Sequence, residues 1–118
     1  MTKIIFYKKN GVYYGFKEQG HSGFEDSGKD IVCASISAMT MLLINTIEVA
    51  LGSDVDYVID EDTTDIEVIA KGALNEYEQD ERINFAVPSL LLGYYIQLND
   101  MLEDYYDYLD VGEIERDI

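Results

Sequence analysis

Apolar and polar positions alternate with a period of two at the start of the chain. Ile4 and Phe6 form one such run, and Val12, Tyr14 and Phe16 form the next. Between them lies Asn10-Gly11, the dipeptide suited to a type I′ turn, because both central residues of that turn need positive φ. The pattern predicts a hairpin of residues 3–8 and 12–18. The next ten residues, 20–29, hold three glycines and several short polar side chains and read as a loop. The spacing then changes. From about residue 31 to residue 51 the chain is apolar on nearly all sides, which predicts a central, buried helix that stops at Gly52. Asp30 stands where a helix N-cap is expected.

Alternation returns at Val55, Tyr57 and Ile59 and again at Ile66, Val68 and Ala70, around the polar stretch 60–64, and predicts a second hairpin. Leu91, Tyr94, Tyr95, Leu98, Met101, Leu102 and Tyr105 keep the 3/4 spacing of one helical face. Two starts fit this second helix: near Glu76 with a kink at Pro88, or at Pro88 itself. The acidic stretch 111–118 is suited to an edge strand. The order ββαββα over residues 1–118 predicts one α+β domain, with an antiparallel sheet packed against two helices. The five tyrosines of the last third (Tyr94, Tyr95, Tyr105, Tyr106 and Tyr108) exceed what one small core needs, and suggest a homodimer interface.

Composition narrows the function. The chain of 118 residues has 24 acidic against 8 basic side chains, a net charge of −16. Such a surface repels phosphate backbones, which argues against direct nucleic-acid binding, and attracts basic polypeptides. No uninterrupted apolar stretch of membrane-spanning length is present, and the N-terminus is unlike a signal peptide, so no membrane association and a cytoplasmic location are expected. One cysteine and one histidine exclude an internal disulfide and a Cys-rich or multi-histidine metal site. No metal and no cofactor are expected.

That single pair is the candidate chemistry. Cys33 follows the expected cap Asp30 by three residues. A thiol in a first helical turn meets unpaired backbone N–H groups and the positive end of the helix dipole, which favour the thiolate and can hold an oxyanion. His21 lies twelve residues upstream in the glycine-rich loop, from which an imidazole can reach the thiol and serve as general base and then acid. Ser37 lies one turn beyond Cys33 and can hydrogen-bond near it, although helix packing is its commoner role. A lone cysteine is often a small buried hydrophobe, and a lone histidine is often only solvated. A redox-sensing thiol lacks a resolving cysteine within the chain.

The segments Gly20-His21-Ser22-Gly23 and Gly28-Lys29-Asp30-Ile31-Val32-Cys33-Ala34-Ser35-Ile36-Ser37-Ala38 resemble the ribosomal-processing cysteine protease family, Prp. There a G-H-x-G loop precedes a D-I-V-C-A-x-x-S-A helix start. The departures are Ser22 and Ser35, where alanine is usual, and Pro88, Tyr94 and Tyr95 in a segment usually rich in Leu and Glu. The resemblance implies an endopeptidase with His21 and Cys33 as its catalytic residues and Asp30 at the helix start. It implies a mobile loop over the site that includes Ser22, Gly23, Phe24 and Gly28. It also implies a dimer whose substrate is the N-terminal extension of a large-subunit ribosomal protein, number twenty-seven in the standard naming, removed during ribosome maturation. The competing reading is a non-catalytic acidic dimer that holds a basic ribosomal protein during assembly.

Overall fold

A computed structural model describes residues 1–20 and 27–118. Strands β1 (Thr2–Lys9) and β2 (Val12–Gln19) form the first hairpin, with Asn10 at φ 51° and Gly11 at φ 79°, as a type I′ turn requires. Strands β3 (Asp56–Ile59) and β4 (Ile66–Ile69) form the second. The Asp60 carboxylate accepts from the N–H groups of Asp62 and Thr63 and closes that turn. Strand β5 (Leu109–Glu115) comes from the acidic C-terminal stretch and begins two residues before the expected position.

The sheet order is β3-β4-β2-β1-β5. It is mixed rather than purely antiparallel, because β5 runs parallel to β1. The physical reason is the long helix between β4 and β5. It carries the chain across one face and returns it in the same direction, as parallel strands require. The Glu115 carboxylate then accepts from the N–H groups of Asn10 and Gly11, at 3.0 Å each, and ties β5 to the first turn.

Helix α1 spans Ser27–Asn45 and continues as a π-helical turn, Thr46–Ala50, with Gly52 at φ 65° just beyond. The stop is where the glycine places it, but the start is one turn earlier than expected. Asp30 is therefore an acidic residue within the first turn and not the N-cap. Gly28 belongs to the helix and not to the loop. Val32 and Ile36 anchor the helix on the core, and hydrogen bonds in the added turn offset the roughly 1 kcal/mol that glycine costs against alanine.

Nor is α1 buried on all sides. Val32, Ile36, Thr40, Leu43, Ile44 and Ile47 face inward, whereas Ile31, Met41, Leu42 and Val49 are exposed. By length and composition the run Asp30–Ala50 is apolar enough to cross a membrane; 33% of its most apolar 18-residue window is buried in the fold.

Helix α2 spans Glu81–Tyr105, between the two expected starts. Asp80 is its N-cap and accepts from the Arg82 N–H at 2.9 Å. Pro88 lies inside it, one position beyond the buried Val87. Ser89 fastens the same turn by donating to the Phe85 carbonyl at 2.6 Å. The tyrosines of α2 are largely absorbed by the fold. Tyr94 is buried against Phe6 and Phe16, and Tyr95 packs on Phe6 and Tyr13, while Tyr106 is exposed.

Candidate active site

Cys33 is half-buried on α1. Since the helix begins at Ser27, the thiol sits in the second turn, past the first residues whose N–H groups lack an intrahelical partner. The expected use of free first-turn amides by Cys33 itself is thus corrected by the earlier start. Asp30, Cys33 and Ser37 follow one another at spacings of three and four along the same helix, so they share one face. Asp30 and Ser37 are exposed on that face.

His21 lies outside the described residues, as do Ser22, Gly23 and Phe24. Both ends of their segment are placed. Residues 21–26 join Gly20, at the end of β2, to Ser27, at the start of α1. Gly20 has φ 71°, and a Cβ there would meet the Met1 carbonyl oxygen at 2.4 Å. Its N–H donates to the Asp65 carboxylate at 3.4 Å. Only glycine therefore fits at the last described position before His21.

A buried polar cluster ties β2 to both helices behind this point. Glu18 has no exposed surface; its Oε1 accepts from Thr40 of α1 at 2.5 Å and from the Tyr94 hydroxyl of α2 at 3.1 Å. Its Oε2 has no hydrogen-bond partner among the described residues. Burial pushes the Glu18 carboxyl up to about 7, although the bonds from Thr40 and Tyr94 oppose the shift. Burial and the nearby Glu18 raise the Tyr94 hydroxyl as well. Nothing in the charge pattern marks Glu18, but its parity does: it follows Phe16 by two along β2, on the face that packs against Tyr94. Among the described residues no group of three or more His, Cys, Asp or Glu side chains could hold a metal ion.

The model of the cysteine protease Prp family matches residues 1–110, nearly the whole chain. The chain belongs to this family. As a Prp-family member it is a cysteine protease, and its α+β fold recurs in solved structures. One is SMU.848 from Streptococcus mutans, with 24% identity, TM-score 0.79, and coverage of 98% of this chain and 99% of that one. Another is an essential ribosomal processing protease Prp from S. aureus in complex with a substrate peptide. It has 17% identity, TM-score 0.78, and coverage of 97% of this chain and 100% of that one. The same S. aureus protease with a covalently linked product peptide matches at 17% identity and TM-score 0.73, with the same coverage. No curated protein matches the sequence. At these identities the structures establish the fold alone, and the family model carries the assignment to the Prp proteases.

Proposed function

We propose that this Prp-family protease cleaves the N-terminal extension of a large-subunit ribosomal protein, number twenty-seven in the standard naming, with Cys33 as nucleophile and His21 as base and acid. The observation that carries the reading is Cys33 itself, half-buried on the helix that directly follows the His21 segment. His21 takes the thiol proton as sulfur attacks the scissile carbonyl carbon, and the carbonyl π electrons move to oxygen. The tetrahedral intermediate collapses by breaking the C–N bond, and the imidazolium gives its proton to the leaving amine. Water, deprotonated by the same imidazole, then attacks the thioester, and the proton returns to sulfur as the acid product leaves.

Asp30 lies on the face of Cys33, and its negative charge supports an imidazolium formed beside the thiol. Ser37 lies on the same face, one turn further on. The net charge of −16 supports a basic substrate and disfavours direct nucleic-acid binding. The alternative of a non-catalytic acidic module that holds a basic ribosomal protein is not retained, because the family is one of cysteine proteases.

A homodimer and a cytoplasmic location belong to the same reading. An apolar groove of about 320 Å³ runs between α1 and α2, lined by Met39, Leu42, Leu43, Leu90 and Gly93 among others. Leu42 is exposed, as is Ile96 one turn beyond Gly93 on α2. A second copy is the partner assigned to the groove. A membrane is disfavoured because the opposite side of α1 is locked to the core by Val32, Ile36 and the Thr40–Glu18 bond.

Cys33→Ala is expected to abolish cleavage of the ribosomal precursor while leaving the circular dichroism spectrum unchanged. His21→Ala should lower kcat/KM by roughly 10²–10⁴-fold. Cleavage at the normal rate by Cys33→Ala removes the mechanism.

A further inference from the structure

Strand β3 is the edge of the sheet, and all four of its residues are exposed. Tyr57, Val58 and Ile59 form an apolar run on that edge. Its hydrogen-bond phase follows from the turn. The Asp60 N–H donates to the Asp65 carbonyl at 2.8 Å, so Asp60 and Asp65 are a bonded pair. In an antiparallel ladder bonded and non-bonded pairs alternate. Ile59 opposite Ile66, and Tyr57 opposite Val68, are therefore non-bonded pairs. The N–H and C=O groups of Tyr57 and Ile59 point outward, where no described strand lies.

Charge surrounds this edge. Asp54, Asp56, Asp60, Glu61 and Asp62 flank it, and all are exposed. Beside it a hollow of about 260 Å³ is lined by Val58, Asp60, Asp65, Glu67, Ile66 and Lys17, three carboxylates against one ammonium.

The edge also lies near the proposed chemistry. Ile59 is in register with Ile66, and Ile66 with Glu18, two residues before Gly20. Two strand spacings of about 4.8 Å separate β3 from β2. The turn that ends β3 reaches the root of the His21 segment through the Asp65–Gly20 bond.

We propose that the outer edge of β3 is a docking strand that a basic, extended segment of the polypeptide substrate joins by strand addition. The inference rests on the reading of the substrate as a basic polypeptide, and adds a site outside the Cys33 face. Outward N–H and C=O groups of Tyr57 and Ile59 bind the segment's backbone, and basic side chains meet the flanking carboxylates. Long, uncovered edges invite unwanted pairing, and proteins commonly protect them with lysine or proline. Here the residues that flank the strand, Asp54, Asp56, Asp60, Glu61 and Asp62, are acidic, which repels another copy of this edge and admits a cationic strand.

The test uses the Cys33→Ala chain and a short fluorescent peptide of alternating lysine and valine, with binding read by anisotropy at low salt. Tyr57→Pro removes an outward N–H without touching the ladder to β4, and edge strands tolerate proline there. It should weaken binding about three- to tenfold, as expected for one lost hydrogen bond. Glu61→Gln with Asp62→Asn should weaken it by roughly threefold or more. Hydrogen exchange at the Tyr57 and Ile59 amides should slow when peptide is added, a readout that needs no variant. Equal binding by all variants, no binding, or weakening by the charge variants alone with unchanged exchange each overturns the proposal. So does a dimer that Tyr57→Pro dissolves, since the edge would then belong to a second copy. Failure of the Cys33 chain itself to cleave the ribosomal precursor would instead strike the proposed mechanism and leave the peptide result standing.

Discussion

Glu18 and Gly20 show how much a single side chain decides here. The Glu18 carboxyl, at about 7 in the fold against an ordinary 4.5, holds its proton more tightly when folded. Stability from this group is therefore fully present below the ordinary value and falls as pH rises through about 7, by roughly 3 kcal/mol in all. Glu18→Gln keeps the size and the acceptor for Thr40 and Tyr94 but cannot ionise. The urea midpoint of the unaltered chain should fall between pH 5 and pH 8 by more than that of Glu18→Gln, and parallel curves would refute a buried, titrating Glu18. Gly20→Ala faces both a positive φ and the Met1 carbonyl at 2.4 Å. It should lower the thermal midpoint and cut cleavage, because the root of the His21 segment must shift. An unchanged midpoint and rate would show that Gly20 is not constrained.

At the scale of elements, α2 carries two residues that helices usually avoid. Pro88 leaves the Asn84 carbonyl without its usual i+4 partner. Gly93 lies near the middle of the helix, and a Cβ there would meet nothing within 4 Å. Gly93→Ala should therefore stabilise the monomeric fold by about 1 kcal/mol, read from chemical denaturation at low protein concentration. A loss of stability would mean that the open space beside Gly93 is filled in the working protein. Helix α1 shows the opposite balance: its composition would suit burial on every side, yet the sheet offers only one face to cover.

For the molecule as a whole, the exposed Leu42 of α1 lines the apolar groove that Leu90 and Gly93 of α2 close from the other side. Leu42 is 65% exposed, so the fold does not depend on it. Leu42→Glu should leave the spectrum of the chain intact and convert the proposed dimer to a monomer in sedimentation at about tens of micromolar. A monomer already present in the unaltered chain would remove the dimer, and an unaffected dimer would move its interface elsewhere. Neither result bears on Cys33.

Local rules alone determined both hairpins. Asn10-Gly11 needs no distant partner to adopt its turn, and period-two alternation marks the inward Ile4 and Phe6 of β1, Phe16 of β2 and Val68 of β4. The end of the α1 helical run was equally local, because Gly52 takes a positive φ. The start was not: Asp30 looks like a cap in sequence, but the anchored helix recruits the turn Ser27–Lys29, which carries Cys33 into the second turn. The start of α2 likewise fell to Asp80, whose carboxylate competes as a cap only once the chain around it is placed. Cys33 and His21 were legible as a motif, whereas Glu18 looked like one acidic residue among 24 until the sheet and two helices closed around it. Parallel pairing of β5 with β1 belongs to the tertiary structure for the same reason. Strand partners far apart in sequence are chosen by the packing of everything between them, and no local pattern contains that sum.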